Sequence, residues 1–294
     1  MNGPQISWLP DGRRLHMNHG PIDLIVEAFG EPAEVRAAYE QAADRFRTIL
    51  EELVTELTEL RRPSTHGRLR RFAGSTARRM EAACARLAGD FLTPMAAVAG
   101  AVADEMLADM ITGRALDRAY VNDGGDIATH LAPGQSMNAA VAGTGHGFSD
   151  RITIDAASPV RGIATSGWRG RSFSLGIADA VTVLARTGAA ADAAATVIAN
   201  AVDLPGHPAV KRQPACELAP DSDLGQRKVT VEVGRLSADE ITAALEAGLS
   251  VADDLRRRGL IEGAALFLAG EAKVCGISTI NPALRERTLE ELNA

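Results

Sequence analysis

Asp192, Thr196 and Asn200 are the residues of this chain with the clearest capacity for chemistry. Their i, i+4, i+8 spacing places them on one stripe of a helix. The stripe interrupts ADAAATVIANAV, a run otherwise made of alanine and branched apolar side chains. A helix apolar nearly all round belongs in the interior, and a carboxylate carried there needs a metal or a donor-rich ligand. The competing reading is structural: Asp192 lies near the helix start, where free N–H groups and the helix dipole also satisfy a carboxylate.

Two other stretches could serve the same ligand. In AYVNDGGDIATHL, the run Asp123-Gly124-Gly125-Asp126 joins two extended segments. Its glycines permit positive φ and close backbone approach, as they would in any plain hairpin turn. The loop SGWRGRSFSLG, from Ser166 to Gly176, combines Ser166 and Gly167 with Arg169 and Arg171. Amide N–H groups and guanidinium donors in such a loop suit an anion; an ordinary turn has the same composition.

Other chemistries find little support. There is no P-loop, HExxH or GxSxG pattern. The histidines are scattered, and none is paired on a helix face as zinc would require. Among them, His146 in GTGHG and His19 before Gly20-Pro21 stand out by their glycine neighbours. Cys84, Cys216 and Cys275 form no CxxC pair and no disulfide framework, which fits small apolar fillers in a reducing, cytoplasmic setting.

The elements that must position these residues are partly readable. ISWLP, RRLHMN and PIDLIVEAF are expected as strands, the first two joined by a turn at Pro10 to Gly12. A long helix is expected from Glu31 to Arg61, with an apolar stripe that includes Val35, Ala38, Phe46 and Leu53. A second helix covers Ser75 to Leu87 with Ser75 as its cap, and a third opens at Thr93-Pro94. The small residues of that third helix, Ala96 to Ala103, let a backbone or a ligand come close. Strands are expected at Arg151–Asp155, Gly162–Thr165, Ala180–Ala185 and Lys228–Val233. Ala189 to Val202 forms a helix, and a Pro-rich surface loop follows Asp203. Ser237 and Glu240 make a capping box for a helix reaching Arg257. IEGAALFLAG returns as a strand, and a short helix follows from Pro282.

Composition bounds the function. A chain of 294 residues, 46% hydrophobic, can bury a sizeable core as one large domain or two intimate halves. A net charge of −7 argues against nucleic acid and anionic membranes as partners. The basic stretch Arg61 to Phe72 reads as a solvated loop between helices. No apolar run is long enough for a bilayer, and MNGPQISWLPDGRRLHMNHG lacks the apolar core of a secretory signal.

Three collinear stretches, TPMAAVAGAVADEML, VNDGGDI and VTVLARTGAAADAAATVIANAV, resemble the ApbE-like superfamily of FAD:protein FMN transferases. With HGPIDLIVEAF and GIATSGWRGRSFSLGIADAVTVLA, the whole chain is similar to an uncharacterised branch of it found in archaea and bacteria. The resemblance implies one α+β, T-fold-like domain over 1–294, with mixed or antiparallel sheets packed against helices. Its N-terminal strands and long helix would occupy 1–90, and its ligand-binding part 91–273. The transferases carry Lys-Gly and, four residues later, Asp; here those positions are Ala99, Gly100 and Asp104, without the lysine. Their Gly-Gly-Asp turn matches Gly124, Gly125 and Asp126. Their histidine-containing segment ending in Asp-Pro corresponds to Gly176 to Ala180, which keeps Asp179 but neither histidine nor proline. Their magnesium ligands, an Asp and a Thr four residues apart, match Asp192 and Thr196.

The expectation is therefore a Mg-dependent, transferase-like enzyme of altered chemistry. Its ligand would be FAD, FMN, another nucleotide or another anion, held at Gly124, Gly125, Asp126, Ser166, Gly167, Arg169, Arg171 and Asp179. Two alternatives stand beside it: an enzyme of sulfur and homocysteine metabolism on the same scaffold, or a non-catalytic binding protein assembled as a homodimer.

Overall fold

The computed structural model describes residues 3–87, 89, 91–140 and 151–276. GTGHG with His146, and the helix expected from Pro282, lie outside them. The chain opens with strands β1 (Gln5–Trp8), β2 (Leu15–His19) and β3 (Ile22–Gly30), then helix α1 (Pro32–Thr55) and one turn of helix, α2 (Leu57–Leu60). The long helix expected up to Arg61 is thus interrupted at Glu56, whose φ and ψ are −105° and 7°. The break has a use: the Glu56 carboxylate accepts the N–H groups of Ala73 and Gly74 at 2.8 and 2.9 Å, ahead of helix α3 (Ser75–Leu87). Ser75 is consequently not the cap but a first-turn residue, and its hydroxyl donates to Glu105.

The third helix also departs from expectation. Pro94–Ala97 is a 3₁₀ turn, and helix α4 runs only from Val98 to Ile111. Thr93 does not cap it, because its hydroxyl donates instead to the distant Asp223. Strands β4 (Leu116–Asp123), β5 (Asp126–Leu131), β6 (Ser136–Ala140), β7 (Arg151–Asp155), β8 (Gly162–Ser166) and β9 (Ala180–Ala185) lead to helix α5 (Gly188–Ala201). The Pro-rich segment after Asp203 is not all loop. It holds strand β10 (Val210–Pro214), paired with β11 (Lys228–Val233), and the short helix α6 (Ala215–Leu218). Helix α7 (Ala238–Arg257) starts at the Ser237/Glu240 capping box, and strands β12 (Gly263–Leu268) and β13 (Glu271–Cys275) follow.

Nine of these strands form one sheet in the order β1-β2-β3-β4-β5-β8-β9-β12-β13, and every pairing in it is antiparallel. This is an α+β fold with antiparallel sheets. Strict alternation divides the sheet into two faces. Leu24, Val26, Ala119, Val121 and Ala128 pack with α1 and α4, while Ala164, Val183, Ala264 and Leu266 pack with α5 and α7 on the same side. On the other side, the β6–β7 hairpin lays Ile152 and Ile154 against Leu131, Leu184 and Phe267.

The alanines and glycines explain how closely α4 and α5 cross. A Cβ on Gly100 would lie 2.2 Å from the carbonyl oxygen of Gly188, so only glycine permits that approach. Asp104 fastens the same crossing by accepting the N–H groups of Gly188 and Ala189 at 2.7 and 2.9 Å. Thr187 adds its hydroxyl oxygen as acceptor for Ala190 N–H. Residues 100 and 104, singled out by the resemblance, therefore serve helix packing and the α5 N-terminus.

Candidate functional site

Where α4, α5 and the β4–β5 turn converge, a cavity of about 1260 Å³ opens. It wraps over that turn onto the outer face of the sheet, where β6 and the loop after β8 form its walls. It is somewhat larger than the roughly 300–1,000 Å³ usual for small-molecule pockets. Gly124, Gly125, Asp126, Ser166, Gly167, Arg171, Asp192 and Thr196 all line it. Residues some 70 positions apart are brought together here because the hairpin turn and the inner stripe of α5 sit at the same end of the sheet.

Two of the residues expected at the site face elsewhere. Asp179 accepts from Trp168 Nε1 at 3.2 Å, from Arg169 Nε at 2.5 Å and from the Ala269 N–H at 2.6 Å. Arg169 also lies over the Trp168 ring, 4.7 Å from its centroid. The two charges neutralise each other beside the cavity and brace the loop whose other arginine enters it. Asn200, the third member of the helix stripe, likewise braces the fold, because its side-chain oxygen accepts the Leu175 N–H at 2.8 Å.

Inside the cavity, the carboxylates share a pattern. Asp192 Oδ2 accepts the N–H of Gly100 at 3.0 Å, in the first turn of α4. Asp126 Oδ1 accepts the N–H of Thr165 at 3.1 Å. Backbone amides thus anchor both, the Ala99 amide adding to that of Gly100 at Asp192, and neither carboxylate has a side-chain donor among the described residues. A third carboxylate, Asp123, is buried directly opposite Asp126 in the β4–β5 register, with only a 3.5 Å contact from the Asp23 N–H. Sequence reasoning missed Asp123, although it begins the very turn that was singled out.

These acids hold their protons unusually well. Burial pushes Asp126 up to about 7, against the opposing pull of the Thr165 amide and the Arg171 guanidinium. Burial, with the Asp126 charge adding to it, brings Asp123 to about 7 as well. Asp192 is raised well above the carboxylate range, first by burial and then by Asp126, which outweigh the Gly100 amide. Arg171 provides the only positive charge close enough to be felt by both Asp123 and Asp126 among these causes. It forms no ion pair among the described residues. Its guanidinium rests on Gly124, where a Cβ would come within 2.0 Å of Nη2, and Gly124 has φ +62°. The positive φ favours glycine there, while the exposed guanidinium could swing aside from a larger side chain.

The donor set suits a hard cation. Asp192, Asp126 and the Thr196 hydroxyl offer oxygens only, and magnesium typically takes one or two carboxylates while keeping waters or substrate phosphates. Among the described residues, no group of three or more His, Cys, Asp or Glu side chains forms a metal cage by itself.

Ala99 puts only a methyl group on the cavity wall, and no described lining residue is a histidine or a cysteine. His19 is buried against the edge of Phe46 in the helix-side core. Cys84 and Cys275 are buried, and burial pushes both thiols up, away from reactivity. No helix among the described residues is long and apolar enough to cross a membrane.

The chain is 39% identical over 110 residues to a UPF0280 protein of Methanothrix thermoacetophila, covering 37% of this chain and 46% of that one. It is 38% identical over 108 residues to a UPF0280 protein of Methanopyrus kandleri, covering 36% and 42%. The matches thus span less than half the length of these curated relatives. Among solved structures, apo flavinyl transferase ApbE of Pseudomonas stutzeri is similar at a TM-score of 0.48 and 13% identity, over 97% of this chain and 98% of that one. The family model described as "AbpE bacteria" matches residues 6–274, nearly the whole sequence, and the chain accordingly belongs to that family.

Proposed function

We propose that this protein binds a phosphate-bearing small molecule, a flavin nucleotide or another nucleotide, together with Mg²⁺, as a metal-dependent enzyme of altered transferase-like chemistry. One observation carries the reading: Asp126 and Asp192 line one cavity with Arg171, held by backbone amides alone and paired with no side-chain cation among the described residues. Such carboxylates are costly to bury and become favourable when a cation and its counter-anion arrive.

Asp192 and Thr196, with Asp126, would hold the magnesium, which when bound neutralises phosphate charge and acts as a Lewis acid. Arg171 would clamp a phosphate oxygen, supported by the amides of the Ser166–Gly167 segment. Asp123, close to neutrality in its proton affinity, is placed to take or give a proton at the hairpin end. Altered chemistry is supported by Ala99, which stands where the resembling transferases have lysine, and by the lack of histidine among the described lining residues.

Calorimetric titration with FAD, FMN, ATP and pyrophosphate, each with and without Mg²⁺, tests this. Magnesium-dependent binding of at least one, lost in Asp192→Asn while the fold persists, is the expected result. Absence of heat from all four would overturn the proposal.

A further inference from the structure

The cavity has a second end, away from the carboxylates, on the outer face of the sheet. Register places Glu27 directly opposite Tyr120, and Phe29 directly opposite Arg118, on strands β3 and β4. All four side chains line the cavity. Glu27 is buried, which is unusual for a glutamate on a strand face that no helix covers. Tyr120 donates its hydroxyl to Glu27 Oε2 at 3.0 Å. Glu27 Oε1 is buried without a hydrogen-bond partner among the described residues; the nearest cation there, the mostly exposed Arg13, stays 3.7 Å away.

Arg118 sits diagonally from Glu27 on the same face, yet the two form no ion pair among the described residues. The Arg118 guanidinium lies 4.4 Å over the Phe29 ring and donates from Nη1 to the Ser136 carbonyl of β6 at 3.2 Å. Its Nε is buried with no partner among the described residues. Two side chains that line one cavity therefore each carry a buried polar atom without a hydrogen-bond partner among the described residues. Native proteins leave few such atoms unsatisfied, because each costs the desolvation it has already suffered.

We infer that this outer lobe seats the donor–acceptor edge of an amide-like heterocycle, with the Glu27 carboxylate accepting a ligand N–H and the Arg118 guanidinium donating to a ligand carbonyl. A nucleobase and the pyrimidine end of a flavin both present such an edge. Tyr120 is a positioning residue that holds Glu27 by its second oxygen. The inference rests on the proposed function above, which puts the phosphate end of the same ligand at Arg171 and the carboxylates.

The experiment uses the full chain and four probes: pyrophosphate, FMN, GMP and UMP, each with Mg²⁺, followed by calorimetry. Glu27→Gln keeps the shape but replaces the acceptor set, and Arg118→Met keeps the bulk without the donor; thermal melts confirm that each is folded. Glu27→Gln should weaken the heterocyclic ligand by about tenfold or more, the usual consequence of losing a hydrogen bond to a charged group. Tyr120→Phe should weaken it several-fold, and pyrophosphate should bind all three variants as it binds the wild type. FMN against GMP and UMP tells which heterocycle is the native one. Pyrophosphate bound but no heterocycle favoured over it, or all affinities unchanged in Glu27→Gln and Arg118→Met, overturns the outer-lobe inference alone. Pyrophosphate binding that survives Asp192→Asn overturns the reading beneath it. Should Glu27→Gln not fold, Arg118→Met carries the same test.

Discussion

Two groups of enclosed carboxylates in this molecule have opposite fates. Glu105 lies between α1, α3 and α4, with Arg45 at 3.2 Å, Arg79 Nε at 2.8 Å and the Ser75 hydroxyl donating to it. Arg45 also grips Glu52 with two bonds of 2.8 Å. Burial pushes Glu105 up, but these donors outweigh it and hold the acid below its usual range. At the other end of α4, Asp123, Asp126 and Asp192 are more deeply enclosed, with only backbone amides and one arginine for company, and all are raised. The contrast separates charge that the fold itself pairs from charge that it leaves without a side-chain counterpart. Depth of burial and the census of donors together distinguish them.

The largest expected effect comes from breaking the completed cluster. Glu105→Ala strands Arg79 and part of Arg45, and should cost about 3–5 kcal/mol in urea unfolding. The open cluster should behave in the opposite way. Asp126→Asn or Asp192→Asn removes a strained charge and should stabilise the ligand-free protein at pH 8 by about 1–3 kcal/mol, while abolishing magnesium-dependent binding. A loss of stability in both would show that the two clusters are of one kind.

Acidity sharpens the same point. Asp123 and Asp126 titrate near 7 in the folded chain and near 4 once unfolded, so between those values the native state holds protons that the unfolded chain has released. Their contribution to stability is therefore present at low pH and lost as pH rises toward about 7. Melting the wild type and Asp126→Asn across pH 5 to 8 should show a gap in favour of the variant that widens upward. Cation affinity should move the other way, tightening as the protons leave. The smallest effect is expected from Arg171→Ala, which should leave stability within about 0.5 kcal/mol, as for other surface side chains. Pyrophosphate affinity should nonetheless fall about tenfold by calorimetry.

Much of the scaffold was legible because its strands and helices carry regular apolar patterns, on one face or, in β9, β12 and α5, nearly throughout. The meander from Gln5 to Gly30, the β4–β5 hairpin, α5 and the Ser237 cap all follow from period and punctuation. Strands β6, β10 and β13 escaped, since SMNAA and VKRQP pair in two-stranded ribbons and EAKVC is a mostly exposed edge strand. The interruption at Glu56 was hidden because its cause, the amides of Ala73 and Gly74, lies 17 and 18 residues away. At the candidate site, the residues around Gly124 and Asp192 that the sequence marks are ones the fold gathers at one cavity. Whether an arginine enters it was not readable: Arg169 and Arg171 are two residues apart, yet one is spent on Asp179 and the other is not. Glu27 and Tyr120 were overlooked, although a glutamate at an alternating strand position was a signal available in IDLIVEAF.

The crossing of α4 and α5 links the cavity end of the molecule to its backbone in both directions. A carboxylate of α4, Asp104, holds the first amides of α5, and a carboxylate of α5, Asp192, holds an amide in the first turn of α4. Each helix thus depends on the other for the closure of its leading turn. Occupancy of the cavity should be written into the hydrogen-exchange rates of Gly100, Gly188 and Ala189, giving a readout of binding that needs neither turnover nor a labelled ligand.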